Sequence, residues 1–378
     1  MEQVNWTKVI NIADVILFFY FAVCVFYLFV FALSSHKEQK GKYSKSAKNC
    51  RYAVFFPKVF SVEEIKGSIQ SFLDQDYPRE FFDIILIFNE SDIDYPDKLS
   101  DFPVKLICTD KKLLSRGQMV KYAQDKLKPE YDAAVIMWPG NTVEPTFLSQ
   151  INDAYYAGGM AIQTHKIPAS LHHNISILRT FFEEMNNAIF RRGHVSLGFS
   201  ASLVGTGMVF NYSWLQKSLD SIKDKFLTKS LELKLLKQGM FIEYLEQVYT
   251  IENKSYKLSD IDQERRDWYS DERKSLKRAS GFFFKALFSG NFDYCDKMFQ
   301  WMMPSKVFLL FLIASLGILV SLFNWVLSVK WFLLLLVQFF TFCMAMPKKM
   351  INFRTFIAFF AIPLFLISVL RNILRIRH

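Results

Sequence analysis

The chain has 378 residues, of which 51% are hydrophobic and 22% charged. That is enough for one sizeable domain with several membrane spans, and too apolar for a simple soluble protein. Much of the +10 net charge lies in tracts beside apolar segments, where it meets anionic lipid headgroups, so a nucleic-acid partner is not expected.

From the amino terminus, Val15–Leu33 carries no charge and, at about 1.5 Å per residue, spans roughly 28 Å, close to the thickness of a bilayer's hydrocarbon. The run ends in serines and a lysine-rich tract, not a small-residue cleavage site, so it reads as a retained anchor. Lys37, Lys40, Lys42, Lys45, Lys48 and Arg51 follow it, while Lys8 stands with Glu2 and Asp14 before it. The positive-inside rule then puts the middle of the chain in the cytoplasm and the amino terminus outside.

Tyr52–Phe56 reads as a first strand. A capping box of Ser61 and Glu64 opens a helix whose apolar face is Ile65, Ile69, Phe72 and Leu73, stopped at Asp76-Tyr77-Pro78. Asp83–Phe88 and Val104–Cys108 are further strands, Arg116–Leu127 a helix and Ala133–Met137 a fourth strand. This alternation predicts an α/β domain around a mostly parallel sheet, with ligands bound just after Phe56, Phe88 and Met137. Gly281–Met303, rich in Phe, Trp and Met, predicts an amphipathic segment on the bilayer surface.

Val307–Val329, Trp331–Met346 and Thr355–Leu370 are closing apolar segments, with Lys330, Lys348, Arg354 and Arg371 expected to snorkel to the interfaces. Three full spans would put Arg371, Arg375 and Arg377 outside, a conflict that a re-entrant or interfacial segment would remove. The resulting division is an anchor over 1–35, a cytoplasmic domain over 36–278, an interface segment over 279–304 and membrane helices over 305–378. The five cysteines are scattered and imply neither disulfides nor zinc.

Five strings in order carry a family resemblance: FLDQDYPREFFDIILIF, VIMWPGNTVEPTFL, RRGHVSLGFSASLVGTGMVF, LTKSLELKLLKQGMFIEYL and DQERRDW. Together they resemble the membrane-embedded family 2 glycosyltransferases of polysaccharide synthesis. The resemblance implies a GT-A (Rossmann-like) cytoplasmic domain with one N-terminal and about three C-terminal transmembrane helices, a nucleotide-sugar donor and a bacterial inner (plasma) membrane location.

Such chemistry needs a cation held by carboxylates at the leaving diphosphate and a base for the acceptor hydroxyl. The resemblance places the metal-binding D-x-D on Trp138 and Gly140, neither of which ligates through its side chain. The Asp that receives the nucleotide base falls on Asn89, with Glu90, Asp92 and Asp94 as imperfect substitutes. The base falls on Ser230, after Lys229, and Glu232 points about 200° away from it along a helix. In the last motif Trp268 stands, but Asp267 replaces the preceding Arg.

Asn141 and the Gly205-Thr206-Gly207 turn remain as remnants of a sugar pocket, or as a tight turn of structural value alone. Trp138 is either a stacking surface for a base or sugar ring, or a plug in the vacated metal site. His165, His172, His173 and His194 read as ordinary surface or interface residues, and Arg191 and Arg192 as solvated or as partners of phosphate or lipid.

The expectation is therefore a catalytically inactive transferase-like subunit beside an active glycosyltransferase or another polysaccharide-assembly subunit, with membrane lipid as a further partner and no cofactor. Two alternatives stand. One is an active metal-independent transferase using Asp92, Asp94, Glu144 or Glu232, with Mg or Mn expected only if the chain is active. The other is a nucleotide-sugar sensor.

Overall fold

The computed structural model describes residues 6–37, 43–89, 99, 101–109, 115–127, 130–169, 174–222, 227–253, 271–347 and 350. Helix α1 (Trp6–Ser34) precedes the α/β domain. The domain then runs β1 (Tyr52–Pro57), α2 (Val62–Leu73), β2 (Phe82–Asn89), β3 (Lys105–Thr109), α3 (Arg116–Lys126), β4 (Ala133–Ile136) and β5 (Asn141–Val143). It continues through α4 (Phe147–Tyr156), β6 (Ala161–Pro168), α5 (Asn174–Asn187), β7 (Met208–Asn211), α6 (Tyr212–Leu219), α7 (Leu227–Lys237) and β8 (Glu243–Glu252).

These strands make one eight-stranded sheet in the order β3-β2-β1-β4-β7-β6-β8-β5. It is mostly parallel, as expected: of the described strands β3, β2, β1, β4, β6 and β8 run the same way, while β7, antiparallel to β4 and β6, and β5, antiparallel to β8, are reversed. β3, β2, β1 and β4 are the strands whose apolar runs are plain in the sequence. All six residues of β1 are buried, as befits a strand covered on both faces.

On one face α2 and α4 close over the sheet through Phe56, Phe72 and Phe147, whose rings meet edge-on at 5.8 and 5.9 Å. Each such buried ring contributes about 1.5–3 kcal/mol. Ser61 Oγ accepts from the Glu64 N–H at 3.4 Å, but the Glu64 carboxylate lies against Gly140, so only half of the expected capping box forms there. A complete box instead opens α3, between Ser115 and Gln118. The opposite face is covered by α3, α6, α7 and a helical stretch at 271–280.

After 271–280 come α8 (Phe283–Phe288), α9 (Phe292–Met302), α10 (Lys306–Ser321) and α11 (Trp325–Ala345). Phe284, Phe288 and Phe292 are exposed while Tyr294, Lys297 and Met298 are buried, a two-sided pattern that fits the amphipathic reading. Val9–Ser34 and Trp325–Ala345 are long and apolar enough to cross a membrane, and α9 with α10 forms a further apolar pair bent by 58°. The expected segment Val307–Val329 is divided: α10 stops at Ser321, and Asn324 caps α11 by accepting from the Leu327 N–H at 3.1 Å. The segment Thr355–Leu370 lies outside the described residues.

Lys330, expected to snorkel, is ion-paired with Asp14 of α1, whose other oxygen accepts from Trp331 Nε1 at 2.9 Å. His165 and His194 are not surface residues: His165 faces Glu184 at 3.1 Å, and the fully buried His194 stacks on Phe31 at 3.6 Å. His194 sits just after a π-helical turn, Ala188–Gly193. Gly193 lies so close to α1 that a Cβ there would be 2.2 Å from the Phe31 carbonyl. Arg191 and Arg192 meet Glu183 and Glu246; Arg191 is buried and Arg192 part-exposed. His172 and His173 lie outside the described residues.

Candidate functional site around Trp138

The segment after β4 leaves the sheet beyond its carboxyl end, the place where open α/β sheets hold ligands. Met137 donates its N–H to the Phe55 carbonyl at 2.9 Å, and Trp138 begins the turn into β5. Gly140 has φ +85°, in the left-handed region that a glycine adopts without strain. A Cβ there would lie 2.8 Å from Cγ and Oε1 of Glu64.

The glycine turn 205–207 is locked onto this loop. The buried Thr206 hydroxyl accepts from the Trp138 N–H at 3.1 Å and from Asn141 Nδ2 at 3.0 Å. Gln163 fixes the turn from β6, donating to the Thr206 carbonyl at 3.0 Å and accepting from the Val204 N–H at 2.9 Å. The half-buried indole of Trp138 rests on the turn, since a Cβ on Gly205 would be 2.5 Å from Cζ2 and 3.0 Å from Thr228 Oγ1. Trp138, Asn141, Gly205 and Thr206 therefore form one constellation. Gly207 packs instead against Thr164 and Thr250.

Two cations that sequence reasoning missed complete it. The Arg116 guanidinium stands 4.5 Å from the indole centroid and Lys166 Nζ 5.5 Å, within the range of cation–π attraction. Arg116 is the first residue of α3. Lys166, near the end of β6, is buried beside Glu252 at 3.1 Å, and Arg179 meets the same carboxylate at 3.2 Å. No local motif marks either cation, because the sheet alone brings β6 beside the β4 loop.

Asn89 ends β2 with Oδ1 accepting from Thr109 Oγ1 at 3.1 Å, which ties it to β3. Glu90, Asp92, Asp94, Asp267 and Trp268 lie outside the described residues. On α7 the Ser230 hydroxyl is buried and, among the described residues, has no hydrogen-bond partner. Glu232 is taken up by Lys297 at 3.0 Å and the Leu203 N–H at 3.0 Å.

Lys229 lies 4.0 Å from Glu272 and over the Trp301 ring at 5.6 Å. Burial pushes the Asp271 carboxyl up to about 6, against the pull of Lys229. It raises Glu272 as well and lowers the Lys229 ammonium. Asp271 and Glu272 are a second signal missed from sequence, their helix being brought to α7 only by the tertiary fold.

The residues do not fit a catalytic cation. Trp138 and Gly140 offer no ligand atoms through their side chains, and the Glu64 carboxylate lies against Gly140. Among the described residues no three His, Cys, Asp or Glu side chains converge to hold a metal. What the site does offer is an aromatic face with positive charge above it.

The model of glycosyl transferase family group 2 matches residues 141–370. No curated protein matches the sequence. Among solved structures, the mannosyltransferase PcManGT from Pyrobaculum calidifontis, in complex with GDP-Man and Mn2+, superposes with a TM-score of 0.51 at 12% identity. That alignment covers 89% of this chain and 97% of that one. TarS from S. aureus gives a TM-score of 0.40 at 11% identity, over 61% of this chain and 39% of that one. At this identity the likeness to the mannosyltransferase speaks to the fold, a GT-A-type α/β sheet, and not to the activity. The family match spans more than half of the sequence, and the chain belongs to glycosyl transferase family group 2.

Proposed function

We propose that this chain is a membrane-bound family 2 glycosyltransferase homologue that does not itself transfer sugar. It serves as a structural or regulatory subunit beside an active synthase in cell-surface polysaccharide assembly, with its α/β domain on the cytoplasmic face of a bacterial inner membrane. The observation that carries this reading is the Trp138 indole seated on Gly205, at the place where the family resemblance expects a metal-binding carboxylate. Ser230 supports it: a hydroxyl with no base beside it is a poor proton acceptor near neutral pH. Extraction in mild detergent should recover the chain with a second glycosyltransferase. Recovery of the chain as monomers alone would contradict the subunit role.

A second reading, metal-independent transfer by this chain, is favoured by one observation. Asp271, pushed up to about 6, is poised to exchange a proton near neutral pH, and its cluster adjoins Lys229, next to Ser230. On that reading the purified chain turns over a nucleotide sugar in EDTA and loses the turnover in Asp271→Asn.

A further inference from the structure

The segment that leads from the α/β domain to α9 sorts its charges by face. In the helical stretch at 271–280, residues four apart lie on one side: Asp271, Ser275 and Ala279 are buried, whereas Arg273 and Lys277, with Lys274 and Arg278 beside them, are exposed. Lys274 and Arg278 are also engaged within the chain, so the cations offered outward are Arg273, Lys277 and, on α8, Lys285, all exposed. The exposed Lys237 at the end of α7 joins them, 4.8 Å from the Phe282 ring that Lys285 approaches at 5.7 Å. The acids are turned inward or taken up. Asp271 and Glu272 are buried towards Lys229, and Glu232 is held by Lys297. Asp293 accepts from the Ser200 N–H at 2.9 Å, Asp296 accepts from Tyr27 Oη at 2.6 Å, and Asp220, at the end of α6, pairs with Lys121.

Beside these cations stand four exposed apolar side chains, Phe284, Leu287, Phe288 and Phe292, of which Phe288 is 85% exposed. Two hydrogen bonds set their depth. Tyr27 Oη donates to Asp296 and Tyr20 Oη to the Met302 carbonyl, at 2.6 and 3.2 Å, so α9 runs antiparallel alongside α1. Phe292, one turn before Asp296, therefore lies about 6 Å nearer the carboxyl end of α1 than Tyr27 does. That is the end at which the lysine-rich tract begins.

We propose that 271–280 and α8 together form a docking surface for anionic phospholipid, with Arg273, Lys277 and Lys285 on the headgroup phosphates and Phe284 and Phe288 among the acyl chains. Basic side chains next to aromatic ones, with no exposed acid between them, are the make-up that binds a negatively charged leaflet. The core of a protein interface is instead depleted of lysine. The amphipathic segment expected over Gly281–Met303 holds only the apolar half of this surface. Its basic half precedes Gly281 and faces outward because Asp271 and Glu272 are drawn towards α7. Sugar transfer plays no part in the docking.

The test is hydrogen–deuterium exchange, read by mass spectrometry, on the purified full chain in nanodiscs of phosphatidylcholine, with and without about one third phosphatidylglycerol. Backbone exchange over 281–292 should slow by about fivefold or more in the anionic discs, exchange in β1 and β2 should stay the same, and high salt should reverse the slowing. Arg273→Gln combined with Lys277→Gln and Lys285→Gln should remove the difference between the two lipids. Equal exchange in both discs, or a folded triple variant that keeps the difference, would overturn the proposal. If that variant does not fold, the parent chain decides in discs carrying a cationic lipid: exchange no slower than in phosphatidylcholine is expected, and slowing equal to that in phosphatidylglycerol would contradict it. Inorganic phosphate that slows exchange in neutral discs as much as phosphatidylglycerol does would mark a site for free phosphate and overturn the lipid assignment. Protection in neutral discs that appears only when a second protein copurifies would do the same in favour of a protein contact. None of these measurements reads sugar turnover, so their failure would leave the non-catalytic reading in place.

Discussion

The indole of Trp138 and the α-carbon of Gly205 share one small volume: a methyl group on the glycine would sit 2.5 Å from Cζ2. Gly205→Ala therefore has two costs. Its φ of +89° makes the backbone contribution about 1–3 kcal/mol, and overlap with the indole adds about 1–3 kcal/mol. In a Trp138→Ala background the overlap with the indole is gone, and the backbone cost and the approach to Thr228 Oγ1 at 3.0 Å remain. A double-mutant cycle on denaturant midpoints reads the difference, and equal losses in both backgrounds would show that the indole does not rest on the turn.

The Asp14–Lys330 pair joins α1 to α11. Lys330→Met leaves the largely buried Asp14 carboxylate with the Trp331 Nε1 hydrogen bond but without its cation, a loss of up to about 3–5 kcal/mol, the range for a buried pair broken on one side. Asp14→Leu together with Lys330→Met removes both charges and should recover most of that loss. Thermal unfolding in detergent distinguishes the two cases. A double variant no more stable than Lys330→Met alone would refute the pairing.

Stability should also depend on pH through Asp271. Its folded value, about 6 against 3.8 for an ordinary aspartate, means that the folded chain keeps a proton that the unfolded chain releases. The contribution is present below 3.8 and is lost as pH rises through about 6. Glu272, raised by the same burial, carries the loss further in the same direction. Lys229, lowered by burial, acts in the opposite sense at higher pH, where stability is regained on approach to 10.5. Asp271→Asn should flatten the decline between 3.8 and about 6 when denaturant midpoints are measured across that range. An unchanged slope would show that Asp271 does not titrate in this window.

The parts of the fold legible in the sequence were those set by local pattern. β1, β2 and α2 announce themselves through unbroken apolar runs and a helical stripe that begins at Ser61. The far side of the sheet, beyond β4, was not legible. β7 and β8 owe their places to long-range pairing, Met208 with Ile136 and Leu245 with Thr164, and such pairing leaves no local signal. Asn324 did carry a signal, a capping residue inside an apolar run, but hydrophobicity alone ran past it to Val329.

The site divides in the same way. Trp138, Asn141 and Gly205 lie in strings that resemble family motifs, and three-dimensional structure joins them through Thr206 and the indole. Arg116 and Lys166 were invisible because they come from distant elements and belong to no string. His194 was misjudged for a related reason. Nothing around it in sequence shows that Tyr27 of α1 and Asp296 of α9 close over it, at 2.9 and 3.3 Å.

The most direct test of the central claim is donor turnover by the purified, full-length chain in lipid nanodiscs, supplied with UDP- and GDP-sugars and either manganese or EDTA, with released nucleotide followed by mass spectrometry. The account predicts no release above the rate without protein under either condition. Release that depends on the chain, and that disappears in Asp271→Asn or Arg116→Gln, would contradict it.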